Sequence, residues 1–418
     1  MVSIEDAQGI ILQYAAPLPV EEVPLLQGLA RVLASDIHSP FDIPLTDNSA
    51  MDGYAFSFGS LRGDRLAVSG FVAAGHAMRD PVPPGTAVKI MTGACMPPGC
   101  DTVVPVEETK PLPGEIRLTA PVRQGSHIRR RGEDVKAGTR VIAGGSVIRP
   151  QETAMMASLG MSKAAVFRKP MAAILATGDE LLPLGEAPVP GQIVNSNSIA
   201  IAAQITEARA KPVDLGIAPD DFEATKNRIR QALSEADLLV TTGGVSVGDK
   251  DYVKVAIEEL GGRIIFWKVN MKPGKPVAFA VLDGKPVFAL PGNPVAAMVG
   301  FEMFVRPALL KMAGGSRIMR PVISACLKSP LANKGERPQL VRALVALEDG
   351  KQRVAVTANQ GSANILSLVQ SNGLLKLPAA TALAAGDAAE VILLDREYFD
   401  ERCISPGKTA PSSPQPSP

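Results

Sequence analysis

The sequence predicts a multidomain α/β-plus-β protein: a doubly wound α/β domain, an inserted β domain held by a helical frame, and a β-rich C-terminal domain. Three observations carry this. Residues 171–318 alternate strand-like and helix-like runs, as expected of a parallel sheet covered by helices. Residues 43–134 instead show short β-like runs punctuated by Gly and Pro. At 418 residues the chain exceeds one ordinary core, so two to four domains are expected. The boundaries read as 1–42 plus 135–170 for the frame, 43–134 for the insert, 171–318 for the α/β domain and 319–400 for the last domain. The Pro/Ser-rich tail, 401–418, reads as disordered.

Taken in order, the first segment is a helix: Ser3 and Asp6 resemble a capping box, and Ile4, Ile10, Ile11 and Tyr14 form an apolar stripe. "RPQETAMMASLG" (149–160) returns to helix, with Pro150 near its start and Gly160 closing it. In the α/β segment "MAAILAT", "PVDLGIA", "ADLLVTTGG" and "RIIFWKV" read as strands. "SNSIAIAAQITEARA", "DDFEATKNRIRQALSEA" (Asp220 and Glu223 as capping box) and "YVKVAIEELGG" read as helices. "PVAFAVL" and "KPVFALPG" read as a hairpin around Asp283-Gly284. Asn293 and Pro294 then open a long helix.

Composition narrows the function. Lys plus Arg (43) balance Asp plus Glu (42), so no global field selects nucleic acid or an anionic membrane as partner. No apolar run reaches the ~18 residues of a membrane span. The first residues lack a basic leader, so no secretory signal is expected. Four cysteines make no disulfide framework, which suits a reducing cytosol. Cys95 and Cys100 read as loop thiols, because no second Cys pair or nearby His completes a metal clip.

Five unusual loops follow predicted strands: "ATGDELLP" (176–183), "APDD" (218–221), "TTGGVSVGDKDY" (241–252), "NMKPGKP" (270–276) and "LPGNP" (290–294). In a doubly wound sheet they gather along one edge, where such folds bind ligands. Gly243 and Gly244 either end a strand or let backbone approach a ligand. Asp220 is either a helix N-cap or a site residue, and Glu180 either a solvated turn residue or a ligand contact. Gly292 and Asn293 precede a helix N-terminus, itself an anion site. Lys272 and Lys275 stand on a loop stiffened by prolines. Amides and lysines would hold phosphate, which Glu180, Asp220 and Asp251 would repel. A divalent cation such as Mg²⁺ bridging acids and phosphate resolves the conflict. Outside this domain, "PLTDNSAMDGYAF" presents Asp52, and "HIRRRGEDVKAG" sets three arginines against Glu133 and Asp134, either as a solvated paired cluster or as a site.

The stretches "DNSAMDGYA", "MTG", "IRRRGED", "ATGDEL", "TTGGVSVGDKDY", "KPGKP" and "LPGNP", in this order from about residue 4 to 397, resemble the molybdopterin molybdenumtransferase family, the bacterial MoeA proteins and the E domain of gephyrin. The resemblance implies that the α/β domain binds molybdopterin and that the C-terminal domain is a β barrel. It implies cleavage of adenylyl-molybdopterin with molybdate to give molybdenum cofactor and AMP, assisted by a divalent cation. Glu180, Asp220 and Asp251 would then organise the metal and pyrophosphate, and Gly243, Gly244, Ser246 and Gly248 would approach the nucleotide or pterin phosphate. Asp52, Thr92 and Asp134 match positions important for activity, with Arg129 beside them in the substrate-binding set. Lys268, Lys272, Lys275, Arg342 and Ser362 would serve substrate and molybdate. "NQGSANILS" departs from the family by carrying Asn359 and Ala363 where the bacterial pattern often has His. The resemblance also implies a cytoplasmic homodimer with a shared cleft, supplied by a molybdopterin adenylyltransferase, without nucleic acid or membrane. The rival readings are that adenylyltransferase itself, against which the extra domains argue, and a gephyrin-like dimeric scaffold.

Overall fold

The computed structural model describes residues 1–245 and 252–394. Ser246, Gly248, Asp249, Asp251 and the tail from 401 therefore lie outside the described residues.

The inserted region forms one six-stranded sheet. Its strands are β1 (Gly53–Phe56), β2 (Arg65–Val72), β3 (Thr86–Ile90), β4 (Thr102–Pro105), β5 (Thr109–Leu112) and β6 (Glu115–Leu118), ordered β4-β1-β3-β2-β6-β5. Around it the chain returns on itself: Val20–Pro24 pairs antiparallel with Lys163–Phe167, and Ile37–His38 with Arg140–Ile142. Helix α1 (Ile4–Tyr14) is capped by the Ser3 hydroxyl, which accepts from the Asp6 amide at 3.0 Å. Its buried Ile4, Ala7 and Ile11 join the core of the α/β sheet. Helix α2 (Pro150–Ser158) starts on the proline and stops before Gly160, whose φ of 77° closes it.

The α/β sheet contains β7 (Met171–Thr177), β8 (Lys211–Ala218), β9 (Leu238–Thr242), β10 (Arg263–Trp267), β11 (Ala278–Leu282) and β12 (Lys285–Leu290), in the order β8-β7-β9-β12-β11-β10. The first four strands in this order are parallel. β11 runs antiparallel to both neighbours, so β10 again points with the majority. The expected hairpin is present, with Asp283 and Gly284 at φ 52° and 75°, the doubly left-handed turn that an Asp-Gly pair accepts. Helices α3 (Ser196–Glu207), α4 (Phe222–Glu235) and α5 (Tyr252–Glu259) connect the strands. α3 packs with the core shared by α1, while α4 and α5 cover the opposite face.

The long C-terminal helix of this unit is interrupted. α6 (Pro294–Gly300) passes through a π-helical turn, Phe301–Val305, into α7 (Arg306–Met312). Pro307 explains the irregularity, since it lacks the N–H that the Met303 carbonyl would otherwise receive. Gln8 of α1 donates its amide to that carbonyl at 2.9 Å instead.

The last domain is a closed barrel of β13 (Val322–Leu327), β14 (Gln339–Glu348), β15 (Lys351–Val356), β16 (Gly373–Leu377) and β17 (Ala388–Leu393), ordered β13-β15-β14-β16-β17. Period-2 alternation divides its strands. Val341, Leu375 and Val391 fill the barrel, while Leu340, Leu374 and Ile392 join the α/β core. Arg342 shares parity with Leu340 and therefore stands on the barrel face turned toward the α/β unit.

Candidate functional site

Because β7, β8, β9, β10 and β12 share a direction, the five loops named above do emerge at one sheet edge. A cavity of about 640 Å³ opens there. Glu180, Gly243, Gly244, Gly292 and Asn293 line it, together with Asn195, Ser196 and Asn197 at the start of α3.

Backbone geometry builds the floor. Gly243 and Gly244 adopt φ values of 87° and 64°, and the Gly243 amide donates to the Leu290 carbonyl at 3.1 Å, binding the β9 loop to the end of β12. A Cβ on Gly243 would stand 2.6 Å from the Thr177 carbonyl oxygen, so the glycine is required for close approach as well as for its conformation. Asn197 donates its side-chain amide to the Gly292 carbonyl at 2.8 Å. Asn195 caps α3, its Oδ1 accepting from the Ser198 amide at 3.2 Å. The sequence places the helix start at Ser196 correctly but does not mark Asn195, Ser196 and Asn197 as a wall of the cavity; the signal was a run of cap-forming residues just before an apolar-periodic segment.

One expectation about the acids changes. Asp221, not Asp220, caps α4, accepting from the Ala224 amide at 2.8 Å, because the helix begins one residue later than the spacing suggested. The Asp220 amide donates to Asp179 Oδ1 at 2.9 Å, which joins the first two loops. Glu180 is exposed, and its carboxylate folds over Gly178: a Cβ there would meet Oε2 and Oε1 at 2.5 and 2.7 Å. With Gly178 at φ 143°, Gly178→Ala should displace Glu180. The expected result is a stability loss of ~1–2 kcal/mol with a tenfold or larger fall in turnover. Thermal melts and initial rates check it, and unchanged rates would show that the position of Glu180 is immaterial.

The basic loop is held from both sides. Lys268 (φ 144°) accepts the Val2 amide through its carbonyl at 3.3 Å. The Lys272 amide donates to Pro338 O at 3.0 Å, and its carbonyl accepts from Leu340 at 2.8 Å. The Lys275 carbonyl accepts from Val269 at 3.0 Å. Among the described residues the lysine ion pairs involve Lys163, Lys226, Lys328 and Lys376, so the ammonium groups of Lys268, Lys272 and Lys275 are not neutralised there.

The barrel reaches the cavity rim directly. Ser362 Oγ accepts from Asn293 Nδ2 at 3.0 Å, and its carbonyl accepts from the Val295 amide at 3.0 Å. One of the amides at the start of α6 is thus used within the protein. Behind Ser362, Arg342 is 2% exposed, with Nε donating to Ser367 Oγ at 3.2 Å and Nη2 to the Gly361 carbonyl at 3.3 Å. None of the ion pairs among the described residues includes it, and burial lowers its pKa below the ordinary guanidinium value.

Asp52, Thr92, Arg129 and Asp134 do not line this cavity. They belong to the inserted region, where Asp52 Oδ1 accepts from the Thr92 amide and hydroxyl, both at 2.7 Å. Those two bonds, the amide first, hold the Asp52 carboxyl below its usual pKa. Thr92→Val should therefore raise that pKa toward the ordinary carboxylate value; an unmoved NMR titration would remove the hydroxyl from the pair. The arginines pair with acids other than the neighbouring ones: Arg130 with Asp47 at 2.7 Å and Arg131 with Asp42 at 2.5 Å. Glu133 instead accepts from the Arg130 amide at 2.6 Å, and the Asp134 amide donates to the Ile43 carbonyl. Arg129 pairs with Asn48 across a short ladder.

An α/β unit with a ligand cavity at its strand ends, joined to an inserted sheet and a docked barrel, defines a multidomain ligand-handling protein. Comparison with known families makes this specific. Residues 2–160 match a family model described as the MoeA N-terminal region (domain I and II), 173–311 a probable molybdopterin binding domain, and 324–394 the MoeA C-terminal region (domain IV). The chain belongs to the MoeA family. It is 35% identical to a molybdopterin molybdenumtransferase of Haemophilus influenzae over 382 residues, 90% of this chain and 94% of that one. It is also 35% identical to molybdopterin molybdenumtransferase 2 of Mycobacterium tuberculosis over 403 residues, 94% and 99% of the two chains. A crystal structure of the molybdopterin biosynthesis MoeA protein from Pyrococcus horikoshii superposes with a TM-score of 0.81 at 31% identity, covering 94% of this chain and 99% of that one.

Proposed function

We propose that the protein is a molybdopterin molybdenumtransferase, which cleaves adenylyl-molybdopterin and inserts molybdate, giving molybdenum-loaded molybdopterin and AMP. The observation that carries this reading is the junction of Asn293 and Ser362, where a cavity suited to a phosphorylated ligand meets a barrel loop backed by the buried, uncompensated Arg342. Gly243 and Gly244 let the backbone approach the adenylylated end of the substrate. Lys268, Lys272, Lys275 and Arg342 supply positive charge for a phosphoanhydride and a tetrahedral dianion, and Ser362 supplies a hydroxyl at the rim.

A divalent cation, Mg²⁺ in this reading, suits the hard oxygen donors Glu180, Asp220 and Asp251 and would offset charge on the phosphates. The fit is incomplete within the described residues, where no three acidic, His or Cys side chains stand close enough to hold a metal; Asp251 lies outside them. No step is therefore assigned to the ion.

Asp52, Thr92, Arg129 and Asp134 enter as residues of a second subunit completing the cleft, since they belong to the inserted region and not to the loops at the α/β sheet edge. The substrate would come from a molybdopterin adenylyltransferase. No described helix is long and apolar enough to cross a membrane, and a cytoplasmic dimer is proposed. Purified protein given adenylyl-molybdopterin, Mg²⁺ and molybdate should release AMP and yield active cofactor. Consumption of ATP and free molybdopterin would instead identify the adenylyltransferase, and inertness in both assays a scaffold.

A further inference from the structure

We infer that Gln360 is a positioning residue, whose side-chain amide completes the last β-ladder step at Arg342 and sets Arg342 and Ser362 at a fixed separation for the oxyanion. The pairing of β14 with β15 ends at Ala343 opposite Val356, one residue short of Arg342. On the other side Arg342 stands opposite Leu374 of β16. Beyond that pair the Thr357 amide and hydroxyl still donate to the Arg342 carbonyl, at 3.1 and 3.2 Å, and Gln360 supplies the rest: its Oε1 accepts from the Arg342 amide at 3.0 Å, and its Nε2 adds a further bond to the Arg342 carbonyl at 3.0 Å. The same Nε2 reaches the Thr357 carbonyl at 3.0 Å and Thr357 Oγ1 at 2.9 Å. One side chain thus supplies the half of the ladder step that Thr357 leaves open, the acceptor for the Arg342 amide, and closes the turn by which the chain leaves the barrel.

The two residues that follow explain why this matters. The Gly361 carbonyl receives Arg342 Nη2, and Ser362 engages Asn293 and the Val295 amide. Gln360 therefore fixes the backbone from which the guanidinium projects and the backbone that carries the hydroxyl. Its own amide is consumed in these bonds, so it acts through Arg342 and Ser362 and not on the ligand. A free loop from Thr357 to Asn364 would let those groups separate, and an error near 1 Å costs roughly a hundredfold.

This inference rests on the molybdate reading above, and the test separates the two. AMP release by the full-length protein is followed at varied molybdate for wild type, Gln360→Met and Gln360→Glu, with thermal melts on each. Absence of molybdate-dependent AMP release in wild type defeats the functional reading itself. With wild type active, Gln360→Met should raise the KM for molybdate roughly ten- to a hundredfold and change kcat much less. Gln360→Glu should show the same defect when ionised, because a carboxylate cannot donate to the Arg342 and Thr357 oxygens. It should recover toward wild type as falling pH restores an O–H donor. Wild-type KM in both variants overturns the inference. So does a loss of kcat and melting temperature together, with no pH-dependent recovery in Gln360→Glu, since that is the signature of a purely structural residue.

Discussion

Gly243→Ala is expected to lower turnover about a hundredfold or more, while the protein still folds. Alanine at φ 87° carries the left-handed cost of ~1–2 kcal/mol, and its Cβ would press on the Thr177 carbonyl at 2.6 Å and hydroxyl at 3.0 Å. Backbone cannot yield as a flexible side chain does. Relief requires the β9 loop to lift from β7, breaking its bond to Leu290 and moving the cavity floor. Displacement of this size at a reacting centre is what costs about 10² in rate. The control is Gly284→Ala, at φ 75° with nothing within 4 Å of its Cβ, in the hairpin turn at the opposite sheet edge. Both variants should lose stability in denaturant melts, Gly243→Ala the more because of its clash, yet only Gly243→Ala should lose activity. Equal activity in the two would show that the Gly243 approach serves the fold alone.

That pair also marks what sequence can disclose. Both glycines invite a positive φ reading, and the Asp-Gly hairpin was legible because turn type follows from local chemistry. The partner of a glycine is a tertiary matter: nothing in "TTGG" says that Thr177 lies beneath it. The same division recurs elsewhere. Strand and helix alternation from 171 to 318 was legible because hydrophobic period is local. From it the gathering of five loops followed by topology alone. The capping choice between Asp220 and Asp221 was not legible, since adjacent acids differ only by the helix start, the least certain feature of a periodic pattern. Pro307 lies in plain view, but the π turn also needed Gln8 of α1 to take the carbonyl that the proline leaves, a contact nearly three hundred residues away in sequence. The salt bridges of Arg130 and Arg131 followed the same rule, reaching Asp47 and Asp42 and not the neighbouring acids.

Arg342→Met should separate stability from function in opposite directions. Wild-type Arg342 is 2% exposed, and no carboxylate pairs with it among the described residues, so its cation is desolvated with only neutral acceptors in compensation. A depressed folded-state pKa means the native state holds that proton less tightly than the unfolded chain. The charge therefore costs stability at neutral pH, where the guanidinium is protonated in both the folded and the unfolded chain. Methionine fills a similar volume without charge, while the Ser367 hydroxyl keeps its bond to the Asn364 carbonyl at 2.7 Å. The variant should unfold at equal or higher denaturant concentration, by up to ~1–4 kcal/mol as for other buried charges replaced by apolar groups. Molybdate-dependent AMP release should fall by about two orders of magnitude or more, because a dianion loses its buried counter-charge. A residue retained for stability would give the reverse pattern, a weaker protein with normal molybdate dependence. A stabilised but inactive variant would show that the barrel carries an uncompensated charge for the sake of the anion it receives.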